Sequence, residues 1–171
     1  MVNYKLMITA EMENVATLQP MGGLHDPTFT YYFKLRCENC GEVTEKETCV
    51  SLDEQVAIPK SRGVANLVQK CKFCGRESNI TMIPIPERSA KPLSNRHCET
   101  GKYAALMGFE CRGLEPFDFS FMGPQWKVQA TSGAVFEDVD LSSGDWAEYD
   151  EKGKVPVSIS NLQSKFEVVK V

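Results

Sequence analysis

Two cysteine pairs with C-x₂-C-G spacing carry the clearest chemistry in this chain. Cys37 and Cys40 form the first pair, Cys71 and Cys74 form the second, and 30 residues separate Cys40 from Cys71. A glycine follows each pair, and glycine accepts the positive φ that a tight metal-binding turn, or knuckle, requires. Four thiolates can occupy the four corners of a tetrahedron, which is the geometry of a closed zinc site. The sequence predicts one zinc per chain, bound by Cys37, Cys40, Cys71 and Cys74.

A complete set of thiolate ligands also predicts what this metal does not do. It leaves no open position at which zinc could bind and activate water, so we expect a structural metal and no enzymatic activity. Iron is an alternative, because tetrahedral sulfur also suits rubredoxin-like sites. We favour zinc because the chain is large, neither knuckle contains proline and polar residues lie beside the thiols. A thiol oxidoreductase is a further alternative, but it needs a free thiol of lowered pKa.

Other candidate ligands lie outside the knuckles. His97 and Cys98 are adjacent, but two donors in a linker are too few to predict a second metal site. His25 lies in a loop rich in glycine and proline and is interpreted as a solvated side chain. The acidic residues between 138 and 151 lack the spacing and central glycine of an EF-hand loop, so we expect a solvated acidic surface.

The overall charge argues against a general nucleic-acid-binding protein. The 171 residues include 19 basic and 23 acidic side chains, which give a net charge of −4 and a pI near 5.3. Nucleic-acid-binding domains usually carry a basic surface. Lys70, Lys72 and Arg76 lie close to the second knuckle, so a zinc ribbon that binds nucleic acid through this rim stays open as an alternative. Steep salt dependence of binding would be its signature.

The predicted compartment is cytoplasmic or nuclear. The amino terminus contains no uninterrupted apolar stretch of the kind found in secretory signals, and no window approaches 18 consecutive apolar residues. The three cysteines outside the knuckles are therefore interpreted as reduced thiols: Cys49, Cys98 and Cys111.

Alternating apolar and polar residues predict an all-β protein. The alternation is clearest in residues 3–12 and in residues 29–36, which lead into the first knuckle. Residues 145–150 are the one segment for which a short helical turn is expected. The remaining predicted strands are 42–52, 64–70, 78–83, 103–111, 126–130, 134–139, 155–159 and 165–171. We expect an antiparallel β-sandwich or barrel-like architecture.

The predicted organisation has two similar halves. Residues 1–83 form a β half with both knuckles, 84–101 form a linker or insertion loop, and 102–171 form a metal-free β half. In each half a strand is followed by a glutamate and then by Leu-Gln-Pro or Leu-Glu-Pro at similar spacing, as in 12–20 and 109–116. This likeness suggests an internal duplication.

Four segments of the sequence resemble the eukaryotic CXXC-motif-containing zinc-binding proteins, and the likeness extends nearly from end to end. They are LRCENCGE at 35–42, VQKCKFC at 68–74, FECRGLEP at 109–116 and DWAEYDE at 145–151. The resemblance implies an all-β, internally duplicated protein that binds one zinc through Cys37, Cys40, Cys71 and Cys74. It brings no established enzymatic activity. Residues 90–100 are an insertion relative to the family, so no role for His97 or Cys98 follows from it.

Together these features predict a non-enzymatic zinc-binding protein that presents a surface to other proteins. No membrane association and no small-molecule substrate are inferred, and nucleic acid is a disfavoured partner.

Overall fold

The computed structural model describes residues 1–169, and the chain is nearly all β in this range. The prediction of an all-β protein is confirmed. The elements in chain order are β1 (Val2–Glu13), β2 (Val15–Pro20), β3 (Tyr31–Cys37), β4 (Thr48–Val50), β5 (Val56–Ala57), β6 (Val64–Ala65), β7 (Leu67–Lys70), β8 (Glu77–Ile83), β9 (Leu93–Ser94), α1 (Asn95–Glu99), β10 (Ala104–Arg112), β11 (Leu114–Ser120), β12 (Trp126–Ala130), β13 (Val135–Val139), β14 (Trp146–Asp150) and β15 (Val155–Val168).

The strands form curled antiparallel sheets that together make a half-barrel. A six-stranded sheet has the order β14-β15-β1-β10-β8-β7, and a four-stranded sheet has the order β13-β12-β2-β9. A three-stranded sheet, β11-β3-β4, and the small β5-β6 hairpin complete the described strands. The barrel-like form of the predicted architecture therefore fits the structure.

Two long strands turn the corner from one sheet into another. β1 continues into β2 through Asn14, whose φ is 56°, and β10 continues into β11 through Gly113, whose φ is 80°. A left-handed residue bends the strand sharply, which suits Asn and Gly better than other residues. These corners coincide with the two similar segments of sequence, although the duplication itself stays a prediction.

Strands of the two predicted halves share one sheet and one core. β1 pairs with β10 on one side and with β15 on the other. Between the sheets, Phe109 of β10 lies edge-on to Phe33 of β3 at 5.2 Å between ring centroids, and Phe166 of β15 lies 5.4 Å from Phe33. The predicted division into 1–83, 84–101 and 102–171 stays a prediction. The six-stranded sheet, which is the central sheet of the fold, contains strands from both 1–83 and 102–171.

Some predicted elements differ from the observed ones. The expected helical turn at 145–150 is wrong: these residues form β14, which pairs with β15 from Trp146 opposite Ile159 to Asp150 opposite Val155. The segment 114–120 was not predicted as a strand but forms β11. Residues 42–52 contribute only the short β4.

The carboxyl-terminal strands differ from their prediction as well. Segments 155–159 and 165–168 belong to one strand, β15, which continues through Asn161 at a φ of 49°. The last two residues of the predicted strand, 170 and 171, lie outside the described residues. Within the described chain no helix is long and apolar enough to cross a membrane.

Candidate metal centre

The first knuckle begins where β3 ends. Cys37 is the last residue of that strand, and its N–H donates to the carbonyl of Glu42 at 2.8 Å. The N–H of Gly41 donates back to the carbonyl of Cys37 at 2.8 Å, and the φ of Gly41 is 78°. These two bonds close a tight turn that directs the thiols of Cys37 and Cys40 to the same side.

The second knuckle repeats this turn immediately after β7. The N–H of Cys71 donates to the carbonyl of Arg76 at 3.0 Å, and the N–H of Gly75 donates to the carbonyl of Cys71 at 3.0 Å. Gly75 has a φ of 74°. The trailing glycines therefore occupy the left-handed conformation for which the sequence pattern selects them.

The four sulfur atoms converge on one point between the knuckles. All four Sγ atoms lie within 4.8 Å of one another. The Sγ atoms of Cys37 and Cys74 are 3.7 Å apart, and those of Cys40 and Cys71 are 3.6 Å apart. A zinc–sulfur bond of about 2.3 Å gives a tetrahedral edge of about 3.8 Å, whereas a disulfide is about 2.05 Å long. The spacing fits four reduced thiolates around one zinc ion.

Hydrogen bonds to the sulfur atoms favour the thiolate form at the second knuckle. The Asn39 side chain and the N–H of Arg76 lower the pKa of Cys74 to about 6. The N–H groups of Cys74 and Phe73 lower the pKa of Cys71. Thiolates are the metal-binding form of cysteine, so both shifts favour metal binding at neutral pH.

Cys40 differs from the cysteines of the second knuckle. The N–H of Glu42 lowers the pKa of Cys40, but loss of solvent and the adjoining sulfurs of Cys71, Cys37 and Cys74 outweigh it and raise the pKa to about 12. In a metal-free cluster the thiols that ionise first become negatively charged, and their charge keeps the proton on the neighbouring Cys40 thiol. A bound divalent cation would remove this effect by neutralising the thiolates.

The basic rim beside the knuckles is partly neutralised by acidic side chains. Lys34 Nζ lies 3.7 Å from a carboxylate oxygen of Asp118, and Arg36 lies 3.9 Å from a carboxylate oxygen of Glu115. Arg36 also stacks over the ring of Phe117 at 5.4 Å. These contacts hold β3 against β11 and leave a smaller basic surface at Lys70, Lys72 and Arg76.

The three cysteines outside the knuckles lie apart from the four-sulfur cluster. Cys49 is exposed on β4, and Cys98 is half-buried in α1. Cys111 is buried in β10, where burial and the charges of Glu38 and Glu110 raise the pKa of its thiol to about 12. Within residues 1–169, the knuckle cysteines form the one group of three or more potential ligands with atoms this close together.

Both histidines have structural hydrogen bonds. His97 completes a capping box at the start of α1, in which its Nδ1 accepts from the N–H of Ser94 at 3.2 Å and the Ser94 side chain accepts from the N–H of His97. His25 Nε2 lies 2.6 Å from the carbonyl of Ile85, to which it can donate. His25 is an exposed loop residue, as the sequence predicts, and this bond ties its loop to the 84–101 segment.

The acidic stretch 138–151 contains one buried member. Asp150 is 1% exposed and accepts hydrogen bonds from the Ser132 hydroxyl and from the N–H groups of Lys152 and Gly153. It therefore ties the turn before β13 to the turn after β14. The other acidic residues of the stretch are exposed, as predicted for a solvated surface.

Two asparagines have roles that the cysteine pattern did not indicate. Asn39 lies inside the first knuckle but contacts the second, because its Oδ1 accepts from Arg76 at 3.5 Å. Asn66 is buried, and its Nδ2 donates to the carbonyl of Glu54 at 2.9 Å while its Oδ1 accepts from the N–H of Met82 at 2.7 Å. The position of Asn39 in the C-x-N-C turn is a signal that could have found it, whereas Asn66 has no such signal.

Comparison with known proteins agrees with this geometry. The chain matches the family described as CXXC motif containing zinc binding protein, eukaryotic, over residues 5–167. Proteins of that name from Bos taurus and Homo sapiens are 38% and 37% identical to it, over 95% and 94% of this chain and 96% and 95% of their own.

Solved structures show the same fold. The crystal structure of C1orf123 aligns with a TM-score of 0.83 at 34% identity, over 98% of this chain and 99% of that one. A hypothetical protein from Plasmodium falciparum aligns with a TM-score of 0.79 at 27% identity, over 98% of this chain and 100% of that one. The chain belongs to the eukaryotic family of CXXC motif containing zinc binding proteins.

Proposed function

We propose that the protein holds one structural zinc through Cys37, Cys40, Cys71 and Cys74 and performs no catalysis at that metal. The observation that carries this proposal is the convergence of four Sγ atoms within 4.8 Å. Four thiolates complete the coordination of zinc, so neither a water molecule nor a substrate oxygen has a position on the ion.

The segment between the knuckles supports a structural role. Residues 38–75 are all described, and among them the buried apolar side chains are Val50 and Ala65. A segment of this length with so small a core needs another source of stability. The knuckles stand at its two ends, so one zinc ion would close it into a loop.

Metal analysis tests this proposal. We expect one zinc per chain in the purified protein, and no zinc in Cys71→Ser. The matched control replaces Cys49, Cys98 and Cys111 together by alanine or serine, and it should keep the metal. Iron at unit stoichiometry would overturn zinc as the metal, and loss of zinc in the control would overturn the ligand assignment. An activity that disappears on zinc removal and returns with zinc would overturn the absence of catalysis.

The surface of residues 38–75, the zinc-bound segment, supports a role in binding other proteins. Phe73 lies within the second knuckle and is 74% exposed. Three further exposed apolar side chains belong to the same segment: Val43, Val56 and Val64. Single exposed apolar residues are ordinary, but an exposed aromatic ring beside a rigid metal site is a suitable anchor for a protein partner.

Affinity capture with matched variants tests the interaction surface. We expect zinc-loaded wild type to retain partner proteins from a cell extract and Phe73→Ser to lose them. Val135→Ser is the control, because Val135 is 53% exposed on β13, away from the zinc-bound segment. Unchanged capture by Phe73→Ser, or equal loss in the control, would refute a surface centred on Phe73. Retained nucleic acid with steep salt dependence would instead favour the zinc-ribbon alternative.

A further inference from the structure

The six-stranded sheet has an open and regular edge at β14. This strand has five residues, Trp146–Asp150, and pairs with β15 without a register shift. Within residues 1–169 no further strand lies beyond it in the sheet order. Its central residues are exposed, and Tyr149 is 56% exposed. An open edge presents backbone groups to which another strand can hydrogen-bond.

The other edges that the structure describes are shorter or irregular. β7 has four residues, β4 has three and β9 has two. β11 contains Pro116 and pairs with β3 across a register shift, and β13 pairs with β12 across another. Short strands, prolines and bulges all hinder the addition of a further strand. β14 is therefore the edge best suited to accept one.

Pro156 of β15 determines which backbone groups of β14 face the open side. It lies opposite Tyr149 and has no N–H to donate. Its carbonyl accepts from Asn14 Nδ2 at 2.8 Å, and Asn14 directly follows β1, which flanks β15 on the other side. Tyr149 and Pro156 therefore form a non-hydrogen-bonded pair, whose backbone groups point away from each other. The N–H and C=O groups of Tyr149, and by alternation those of Ala147, point to the open edge.

This edge lies in a strongly acidic part of the chain. Residues 128–151 contain seven acidic side chains and no lysine or arginine. Glu148 is exposed on β14 itself, and Asp145 is exposed immediately before it. Lys152 and Lys154 follow only in the turn at the carboxyl end of the strand. A negatively charged edge attracts a basic segment and repels an acidic one, such as a second copy of this part of the chain.

Tyr149 favours the same class of partner. Its side chain lies on the face of the sheet opposite to that of Asp150, which is buried. The residue of an added strand directly opposite Tyr149 would place its side chain on the same face as the ring. A lysine or arginine at that position would make a cation–π contact with the ring.

From this geometry we propose that the open edge of β14 docks an extended, basic segment of a partner protein, which adds as a seventh strand to the six-stranded sheet. Backbone hydrogen bonds to Ala147 and Tyr149 supply affinity, and Glu148 and the Tyr149 ring select basic side chains. This surface is distinct from the one around Phe73. It lies at the opposite edge of the sheet from β7, the strand that leads into the second knuckle, so docking needs no zinc.

Fluorescence anisotropy with synthetic peptides tests the proposal on the full-length protein. The probe is a labelled peptide of about nine residues, the length of one strand, in which arginine alternates with threonine. One control peptide has glutamate in place of arginine. The other has a methyl group on every backbone nitrogen, which keeps the charge and removes the hydrogen-bond donors. We expect saturable binding of the probe and at least about 10-fold weaker binding of both controls. Absent binding of the probe, or equal binding of the methylated peptide, would overturn strand addition.

Matched variants test the edge itself. Ala147→Pro removes one outward N–H and leaves the hydrogen bonds to β15 in place, and we expect about 10-fold weaker binding of the probe. Glu148→Lys reverses the charge of the edge and should weaken binding about 5-fold. Glu54→Lys makes the same change at an exposed residue outside β14 and should bind like wild type. Wild-type affinity in both edge variants would refute the site.

Hydrogen exchange of wild type locates the bound peptide without any variant. We expect slower exchange at the amides of Ala147 and Tyr149, and little change at Glu148, whose amide already faces β15. Slower exchange only at other surfaces would overturn the proposal. Dimerisation of wild type that Ala147→Pro abolishes would assign the edge to a second copy and overturn it as well. Cys71→Ser should bind the probe like wild type, so a failure of the zinc proposal is distinguishable from a failure of this one.

Discussion

Removal of the zinc by Cys71→Ser should unfold residues 38–75, including the edge strand β7, and leave β1, β10 and β15 of the six-stranded sheet folded. The segment loses the restraint at both of its ends. In the six-stranded sheet, β8 lies between β10 and β7, the strand that leads into the second knuckle. The sequence alone predicts that the whole amino-terminal half loosens. The structure narrows this expectation, because β1 belongs to that half but lies between β10 and β15.

The magnitudes follow from what the segment buries. A fully buried side chain of the size of Val50 contributes about 1.5–3 kcal/mol, and the smaller Ala65 contributes less. A structural zinc contributes about 10–16 kcal/mol in zinc-finger peptides, and closing a loop of roughly 32 residues accounts for about 3–4 kcal/mol in the chain-entropy model of a cross-link. Without zinc the balance of this segment favours disorder.

The central sheet does not share this dependence. β1 buries Leu6 and Ile8, which are 0% and 1% exposed, and it pairs with β10 and β15 over most of its length. Phe109 of β10 packs against Phe33 and Tyr31 in the same core. None of these contacts involves a knuckle cysteine, so we expect them to persist without the metal.

Hydrogen exchange of zinc-loaded wild type and Cys71→Ser measures the effect region by region. We expect lost protection at β4, β6 and β7, with protection kept in β1, β10 and β15. Cys49→Ser is the control for removing one exposed thiol within the same segment. Uniform loss along the chain would show that zinc and core form one cooperative unit, and full protection at 38–75 would show that this segment folds without metal.

Three further predictions concern groups outside the metal centre. Asn66→Ala should lower the free energy of unfolding by about 2–3 kcal/mol in urea, because it leaves the buried N–H of Met82 without its acceptor; a loss below 0.5 kcal/mol would contradict this. Gly113→Ala should cost about 1–3 kcal/mol by the same measurement, since its φ is 80° and a Cβ would lie 3.2 Å from Ser78 Cβ; an unchanged midpoint would refute the strain. Asp150→Asn should destabilise the protein at neutral pH. Hydrogen bonds from the Ser132 side chain first, and then from backbone N–H groups, hold the pKa of Asp150 below its ordinary 3.8, so its contribution is present above that value and lost as the pH falls through the lowered pKa. Equal stability of the variant and wild type at pH 7 would contradict it.

The candidate metal ligands could be predicted from sequence because their chemistry is local. A C-x₂-C-G turn needs only five residues, and both copies form the same hydrogen bonds in the structure. The all-β class followed in the same way from alternation within single strands, as in 126–130, which form β12 with the predicted bounds. Contacts between residues that are distant in the sequence carry no comparable signal. The capping of α1 by His97 and the central position of Asn66 depend on what the fold brings near them.

The prediction at 145–150 failed for a physical reason. Asp, Trp, Ala, Glu and Tyr in sequence resemble the start of a helix, although the predicted strand at 155–159, with which this segment pairs, lies close by. In the fold, Trp146 packs edge-on against Phe136 at 5.3 Å, and Asp150 accepts a hydrogen bond from Ser132. Both partners belong to the β12–β13 region, so tertiary contacts overrode the local preference.

Zinc and hydrophobic packing can be compared as two ways of ordering a long excursion, meaning a segment that leaves the three-stranded sheet and returns to the six-stranded one. The excursion 38–75 leaves β3 and returns through β8 with Val50 and Ala65 as its buried apolar side chains. The excursion 121–154 leaves β11 and returns through β15, and it buries five: Trp126, Val128, Ala130, Val139 and Leu141. Burial of such side chains contributes about 1.5–3 kcal/mol each for the larger ones, so the second excursion has a core of its own. The first excursion lacks such a core at the place where the four thiols converge, which supports the proposal that zinc orders this segment.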